Sequence, residues 1–80
     1  MDDQDIISRI NELAAEEQRL EEAHVGEGLS EDEQRQLQSM QATLDQLWDV
    51  LRQRRAKRKV GANPNDARTR SVDTVEGYLQ

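Results

Sequence analysis

The chain has 80 residues, of which 35% are charged and 34% are apolar, and its formal net charge is −6. This length allows one small domain, and one Trp, one Tyr and no Phe leave little material for a large core. The absence of Cys excludes disulfides and thiolate metal sites, and a single His excludes a His-based metal site within one chain. With no nucleophile–base pair in the sequence either, we expect no enzyme, no cofactor and no small-molecule substrate.

The first predicted helix runs from Asp3 to His24, with Asp2 or Asp3 as its N-cap. Its apolar residues recur at steps of three and four, which is the period of one helical face. They are Ile6, Ile10, Leu13 and Leu20. Two glycines in residues 25–29 then predict a helix stop and a tight reversal.

The second predicted helix, residues 30–59, is the longest element of the chain. Its N-terminus has the form of a capping box, with Ser30 followed three residues later by Glu33. Its apolar stripe is Leu37, Met40, Leu44, Leu47 and Leu51. Gly61 and Pro64 predict where the helix stops.

The two stripes match each other across the connection. In an antiparallel hairpin, the numbers of facing residues add to a constant, and here the pairs add to 57. The apolar pairs are Ile6 with Leu51, Ile10 with Leu47, Leu13 with Leu44, and Leu20 with Leu37. The same register places Asp3 opposite Arg54 and Asp5 opposite Arg52. The predicted fold is therefore all-α, an antiparallel two-helix hairpin with coiled-coil-like packing over residues 1–60.

Residues 61–80 change in composition and predict a polar linker followed by a mostly irregular C-terminal tail. The final segment, VDTVEGYLQ, has four apolar residues, and Gly77 weakens its helical pattern. Two interpretations remain open for it. The tail either folds back over the helices or frays, or it is a docking peptide for a partner.

A hairpin alone is marginally stable, because two helices cannot fully bury their apolar stripes. Several apolar residues lie off the central seam or in the tail. These candidate interface residues are Ile7, Ala14, Trp48, Tyr78 and Leu79. We expect the hairpin to be completed by homodimerisation into a four-helix bundle. The predicted function is a non-enzymatic protein–protein interaction module that self-associates or binds a protein partner.

The basic run at the end of the second helix is the candidate for an anionic partner. It consists of Arg52, Arg54, Arg55, Lys57, Arg58 and Lys59. Residues 1–51 carry 14 acids and 3 bases, whereas residues 52–80 carry 8 bases and 3 acids. The run is either a solvated helix end that pairs with the acidic N-terminus, a contact for an acidic protein, or a phosphate contact. The last reading is the alternative function, a nucleic-acid- or ribosome-associated accessory protein.

The N-terminus MDDQDIIS is acidic, whereas a signal peptide begins with basic residues and continues with an apolar run. No apolar run is long enough to span a membrane. We therefore expect a cytoplasmic protein without a membrane partner.

Three segments resemble a family of short actinobacterial proteins that is known only as a domain of unknown function. They are the opening MDDQDIISRINELAAEE, the block LDQLWDVLRQRRAKR and the ending VEGYLQ. The resemblance implies a helical fold and a cytoplasmic actinobacterial protein, and it implies no activity. The chain also resembles, more weakly, the ubiquitin-like modifier of these bacteria. That modifier carries Gly-Gly before its last residue, whereas this chain ends in Tyr78-Leu79-Gln80.

Overall fold

The computed structural model describes residues 2–23 and 28–79, without the side chains of Ala23 and residues 77–79. Two long α-helices, α1 (Asp3–Ala23) and α2 (Glu31–Lys59), pack against each other. A 3-10 turn (Pro64–Asp66) and a short helix, α3 (Val72–Leu79), both contact α2. The prediction of an all-α fold with two packed helices is confirmed. The predicted last residue of the first helix, His24, and residues 25–27 of the connection lie outside the described residues.

Both long helices begin with reciprocal side-chain caps. In α1, the Asp2 carboxylate accepts a hydrogen bond from the Asp5 amide at 2.8 Å, and the Asp5 carboxylate accepts one from the Asp2 amide at 3.2 Å. In α2, Ser30 and Glu33 form the predicted capping box, with bonds of 3.2 and 3.1 Å. These contacts satisfy amides that the helix itself leaves unpaired. The sequence pairing of Asp5 with Arg52 was wrong, because Asp5 caps α1 and forms no ion pair in the described part of the chain.

The C-terminus of α2 closes at Gly61, as predicted. Gly61 has a φ of +77°, a left-handed conformation that glycine adopts without a steric penalty. Its amide donates to the carbonyl of Arg58, and the Ala62 amide donates to the carbonyl of Lys57. This pair of bonds is the Schellman motif, and it turns the chain back along α2.

The core follows the predicted register. Ile6, Ile10 and Leu51 form its buried centre, and Leu44 and Leu47 are among the partly buried side chains packed against it. Ile6 and Ile10 therefore lie in one cluster with Leu51 and Leu47, the residues that the constant sum assigns to them. Leu13, Met40 and Val75 are also buried.

The expectation of a mostly irregular tail was wrong. Ser71 starts α3 by accepting a hydrogen bond from the Thr74 amide at 3.2 Å, and the Ser71 carbonyl accepts one from the Val75 amide at 3.0 Å. Val75 is 1% exposed, so α3 contributes a full core residue. Packing of this residue stabilises a helix that would be too short to persist alone. Of the two interpretations, the tail that folds back is the one observed.

The segment between the 3-10 turn and α3 is held along α2 as a strap, which we define as residues 67–71. The Gln53 side chain donates to the Arg68 carbonyl at 2.7 Å and accepts from the Arg68 amide at 3.2 Å. Two helical turns earlier on α2, the side-chain amide of Gln46 donates to the Arg70 carbonyl at 3.1 Å. Asp49 lies between them, 4% exposed, and its carboxylate is 3.5 Å from the Arg70 guanidinium. The strap therefore runs antiparallel to α2.

Candidate interaction surface

The α2 helix presents three different surfaces. One packs on α1 through the apolar stripe, and a second binds the strap through Gln46, Asp49 and Gln53. The third faces outward, and at its centre Trp48 is 48% exposed. Within the described residues, the large apolar side chains that are exposed are Trp48 and Val60, and Val60 lies at the helix end. An exposed indole in the middle of the longest helix is therefore the most conspicuous feature of this surface.

Trp48 lies in an open groove of about 330 Å³. The residues that line this groove, called the Trp48 groove below, are Asp45, Trp48, Leu51, Arg52 and Arg55. Four of them recur at steps of three and four along α2, so they share one helical face. The groove thus combines an apolar centre with a carboxylate at one end and two guanidinium groups at the other.

The other candidate interface residues lie in different surroundings. Ile7 is half-buried and packs on the cluster that contains Leu51, which itself lines the Trp48 groove. Ala14 is exposed on α1, seven residues after Ile7 and thus two turns along the same face. Tyr78 and Leu79 belong to α3, but their side chains lie outside the described residues.

The six basic residues of the run are not equivalent. Arg54 is 7% exposed, and its guanidinium donates to Asp3 at 2.5 Å, to the Asn65 side chain at 3.1 Å and to the Pro64 carbonyl at 3.3 Å. Arg54 therefore joins the start of α1, the end of α2 and the 3-10 turn. The Arg54 guanidinium is therefore hydrogen-bonded to oxygen atoms of the chain itself.

Arg58 also contacts the carboxylate of Asp3. The two guanidinium groups, Arg58 first and Arg54 second, hold the pKa of Asp3 below its ordinary value of 3.8. The predicted facing of Asp3 and Arg54 is confirmed. Arg52, Arg55 and Lys59 remain exposed, and Lys57 is half-buried. Free positive charge is thus concentrated on the outward face of α2, beside Trp48.

Sequence reasoning missed two features of this region. It read Arg54 as part of a solvent-exposed run and did not foresee its contacts with Asn65 and Pro64. It also overlooked the polar face of α2 that binds the strap. Gln46, Asp49 and Gln53 are spaced at three and four residues and so share one face of α2. Other polar residues in the same half of the helix, such as Asp45 and Arg52, hide that face from a hydropathy pattern.

The part of the chain that the structure describes bears on two further classes of site, metal centres and membrane spans. No group of three or more His, Cys, Asp or Glu side chains lies close enough together there to hold a metal ion. None of the described helices combines the length and the apolar character that a membrane crossing requires.

Comparison with known proteins gives a family and no activity. Residues 2–80 match the family described as "Protein of unknown function (DUF2630)". Uncharacterized proteins of Mycobacterium bovis and of two Mycobacterium tuberculosis strains are each 46% identical over 77 residues, which is 95% of this chain and 88% of the relative. No solved structure matches the chain. The resemblance to short uncharacterised actinobacterial proteins is confirmed, and neither the family description nor the relatives' names indicate an enzyme. The chain belongs to the DUF2630 family.

Proposed function

We propose that this protein is a small non-enzymatic interaction module that self-associates through the Trp48 groove and the adjoining side of α1. The observation that carries the proposal is the half-exposed Trp48 at the centre of the groove. Partly exposed Trp side chains with an apolar surround and a charged rim are typical anchors of protein interfaces. Ile7 and Ala14 extend this surface onto α1.

A second copy of the chain is the occupant that the charges favour. The α2 helix carries Glu31, Asp32 and Glu33 in its first turn and Lys57, Arg58 and Lys59 in its last. Two such helices attract each other when they run in opposite directions. The six buried apolar side chains among the described residues also form a small core, which a partner would extend.

Sedimentation equilibrium of the wild type, Trp48→Ala and Val60→Ala tests the proposal. We expect the wild type to form a dimer, twice the 9.2 kDa of one chain. Truncation of an interface anchor costs about 2 kcal/mol or more, so Trp48→Ala should raise the dimer dissociation constant at least about 30-fold. Val60→Ala removes methyl groups from a side chain that is 79% exposed outside the groove, and it should leave the constant unchanged. A monomeric wild type would contradict the proposal.

A nucleic-acid contact is the second candidate, and one arrangement supports it. The Trp48 groove places an indole beside the exposed guanidinium groups of Arg52 and Arg55, a combination suited to stacking a base and contacting its phosphates. Trp48 is the only Trp of the chain, so its fluorescence reports directly on the groove. Quenching by a single-stranded RNA that weakens steeply with salt, and that is lost in Arg52→Glu/Arg55→Glu, would support this candidate. Unchanged fluorescence at low salt would exclude it.

A further inference from the structure

We infer that two copies dock with their α2 helices antiparallel and with the twofold axis beside Trp48, so that Arg52 of each copy pairs with the partner's Asp45. The inference rests on the proposed self-association and specifies its geometry. The two Trp48 side chains then pack together at the centre. A separate ion pair lies on each side of them.

The order of residues on the outward face carries this inference. Asp45 precedes Trp48 by three residues, and Arg52 follows it by four. A twofold axis perpendicular to α2 reverses the helix direction, so it brings the positions before Trp48 opposite the positions after it. At ~1.5 Å per residue, Asp45 and Arg52 lie about 4.5 and 6 Å from Trp48 along the helix axis. The mismatch of about 1.5 Å is small for a long Arg side chain.

The two charged side chains are available for such a pairing. Neither Asp45 nor Arg52 forms an ion pair within the described residues, although five other ion pairs are present there. They cannot pair with each other in one chain, because seven residues separate them by about 10 Å along the helix. The groove therefore carries a positive and a negative group on opposite sides of an apolar centre. Such a surface is complementary to itself, as a twofold interface requires.

The apolar centre continues onto α1 at the same height. The hairpin register places Ile7 level with Val50, two residues from Trp48, and Ile7 packs on the core cluster beside the groove. A twofold axis beside Trp48 therefore brings Ile7 of both copies to the middle of the interface. The antiparallel direction also turns the acidic start of each α2 towards the basic end of the other, with an offset of about 9 Å along the helix axis at ~1.5 Å per residue. A parallel pair would place these like charges together.

Charge reversal with exchange tests the arrangement. Asp45→Arg and Arg52→Asp each replace both symmetric ion pairs with like-charge contacts. Exposed pairs contribute ~0–1 kcal/mol each, and symmetry counts every pair twice, so each single variant should raise the dimer dissociation constant about tenfold or more. An equimolar mixture of the two variants should regain the wild-type constant, because each chain then meets opposite charge. The double variant Asp45→Arg/Arg52→Asp should regain it by itself.

Glu16→Arg and Arg19→Asp are the matched controls, since they make the same charge changes at exposed residues of α1. Both residues lie on the same helical face as Glu12, four and seven residues after it, and Glu12 lines a different groove of the hairpin. Both should leave the dissociation constant within about twofold of the wild type.

Three results would overturn the inference. Single variants that dimerise as tightly as the controls, or a mixture no tighter than its components, would refute the arrangement. If Trp48→Ala still dissociates the dimer in that case, self-association through the groove stands and only its geometry fails. A monomeric wild type that binds single-stranded RNA through Arg52 would refute both and support the second candidate function.

Discussion

Arg54→Ala removes the guanidinium that connects three segments of the chain. The substitution leaves Asp3 with Arg58 as its remaining ion-pair partner, and it leaves the Asn65 side chain and the Pro64 carbonyl without their donor. We expect the 3-10 turn and the strap to lose part of their attachment to α2. The helices themselves should persist, because their apolar seam is unaffected.

The loss of stability depends on how deeply the Arg54–Asp3 ion pair is buried and on the Asp3–Arg58 pair that remains after the substitution. Breaking a fully buried ion pair costs ~3–5 kcal/mol, and a hydrogen bond to a charged group contributes ~1.5–3 kcal/mol. The Asp3 side chain is 28% exposed and keeps Arg58, so solvent and a second cation recover part of that cost. We therefore expect Arg54→Ala to lower the free energy of unfolding by about 2–3 kcal/mol.

Arg35→Ala is the matched control on the same helix. Its side chain is 73% exposed and pairs with Asp32 at 3.6 Å, so the substitution should cost less than about 0.5 kcal/mol. Urea unfolding followed by far-UV circular dichroism measures both variants, at concentrations where sedimentation shows the same oligomeric state. Equal unfolding free energies for the two variants would refute the structural role of Arg54.

The remaining predictions concern the C-terminal helix and Asp3. Val75→Ala removes two methyl groups from a side chain that is 1% exposed, so urea unfolding should show a free energy of unfolding lower by about 2 kcal/mol. Val60→Ala, at a side chain that is 79% exposed, is the control and should change this free energy little. Equal effects of the two substitutions would show that α3 is not part of the core. Because the folded pKa of Asp3 is lowered, its contribution to stability is complete above pH 3.8 and is lost as pH falls below 3.8 through the folded pKa. Asp3→Asn should therefore reduce stability at neutral pH and show a shallower decline in acid than the wild type, and parallel pH profiles would contradict this.

The hairpin was predictable from the sequence because its determinants are periodic. Apolar residues at helical spacing define one face on each helix, and a constant sum then fixes which residues meet. This reasoning located Ile6 beside Leu51 and Asp3 beside Arg54, and both placements are observed. The Ser30 capping box and the Gly61 stop were equally readable, since both depend on local chemistry.

The C-terminal region was not predictable by the same means. The strap is held by Gln46 and Gln53 amides that bond to backbone groups, and these bonds have no hydropathy pattern. Helix α3 has eight residues, and its stability depends on burying Val75 against distant parts of the chain. Local propensity, weakened by Gly77, contains no information on that contact.

The candidate surface was predicted in part. Trp48 was recognised as lying off the seam, and the structure exposes it. The division of the basic run was missed, because Arg54 points to Asn65 and Pro64, two residues that the sequence assigns to a linker. Only the folded arrangement separates the structural Arg54 from Arg52 and Arg55, which flank Trp48 in the groove.

Thiol cross-linking between copies tests the central claim most directly. The chain has no Cys, so a chain with Asp45→Cys and a second chain with Arg52→Cys carry one thiol each. After mixing, a short thiol-reactive cross-linker should join the two different chains efficiently. Asp45→Cys mixed with Arg19→Cys, on α1, should give little product. Equal yields from the two mixtures, or no cross-linked dimer in either, would contradict the proposed interface at Trp48.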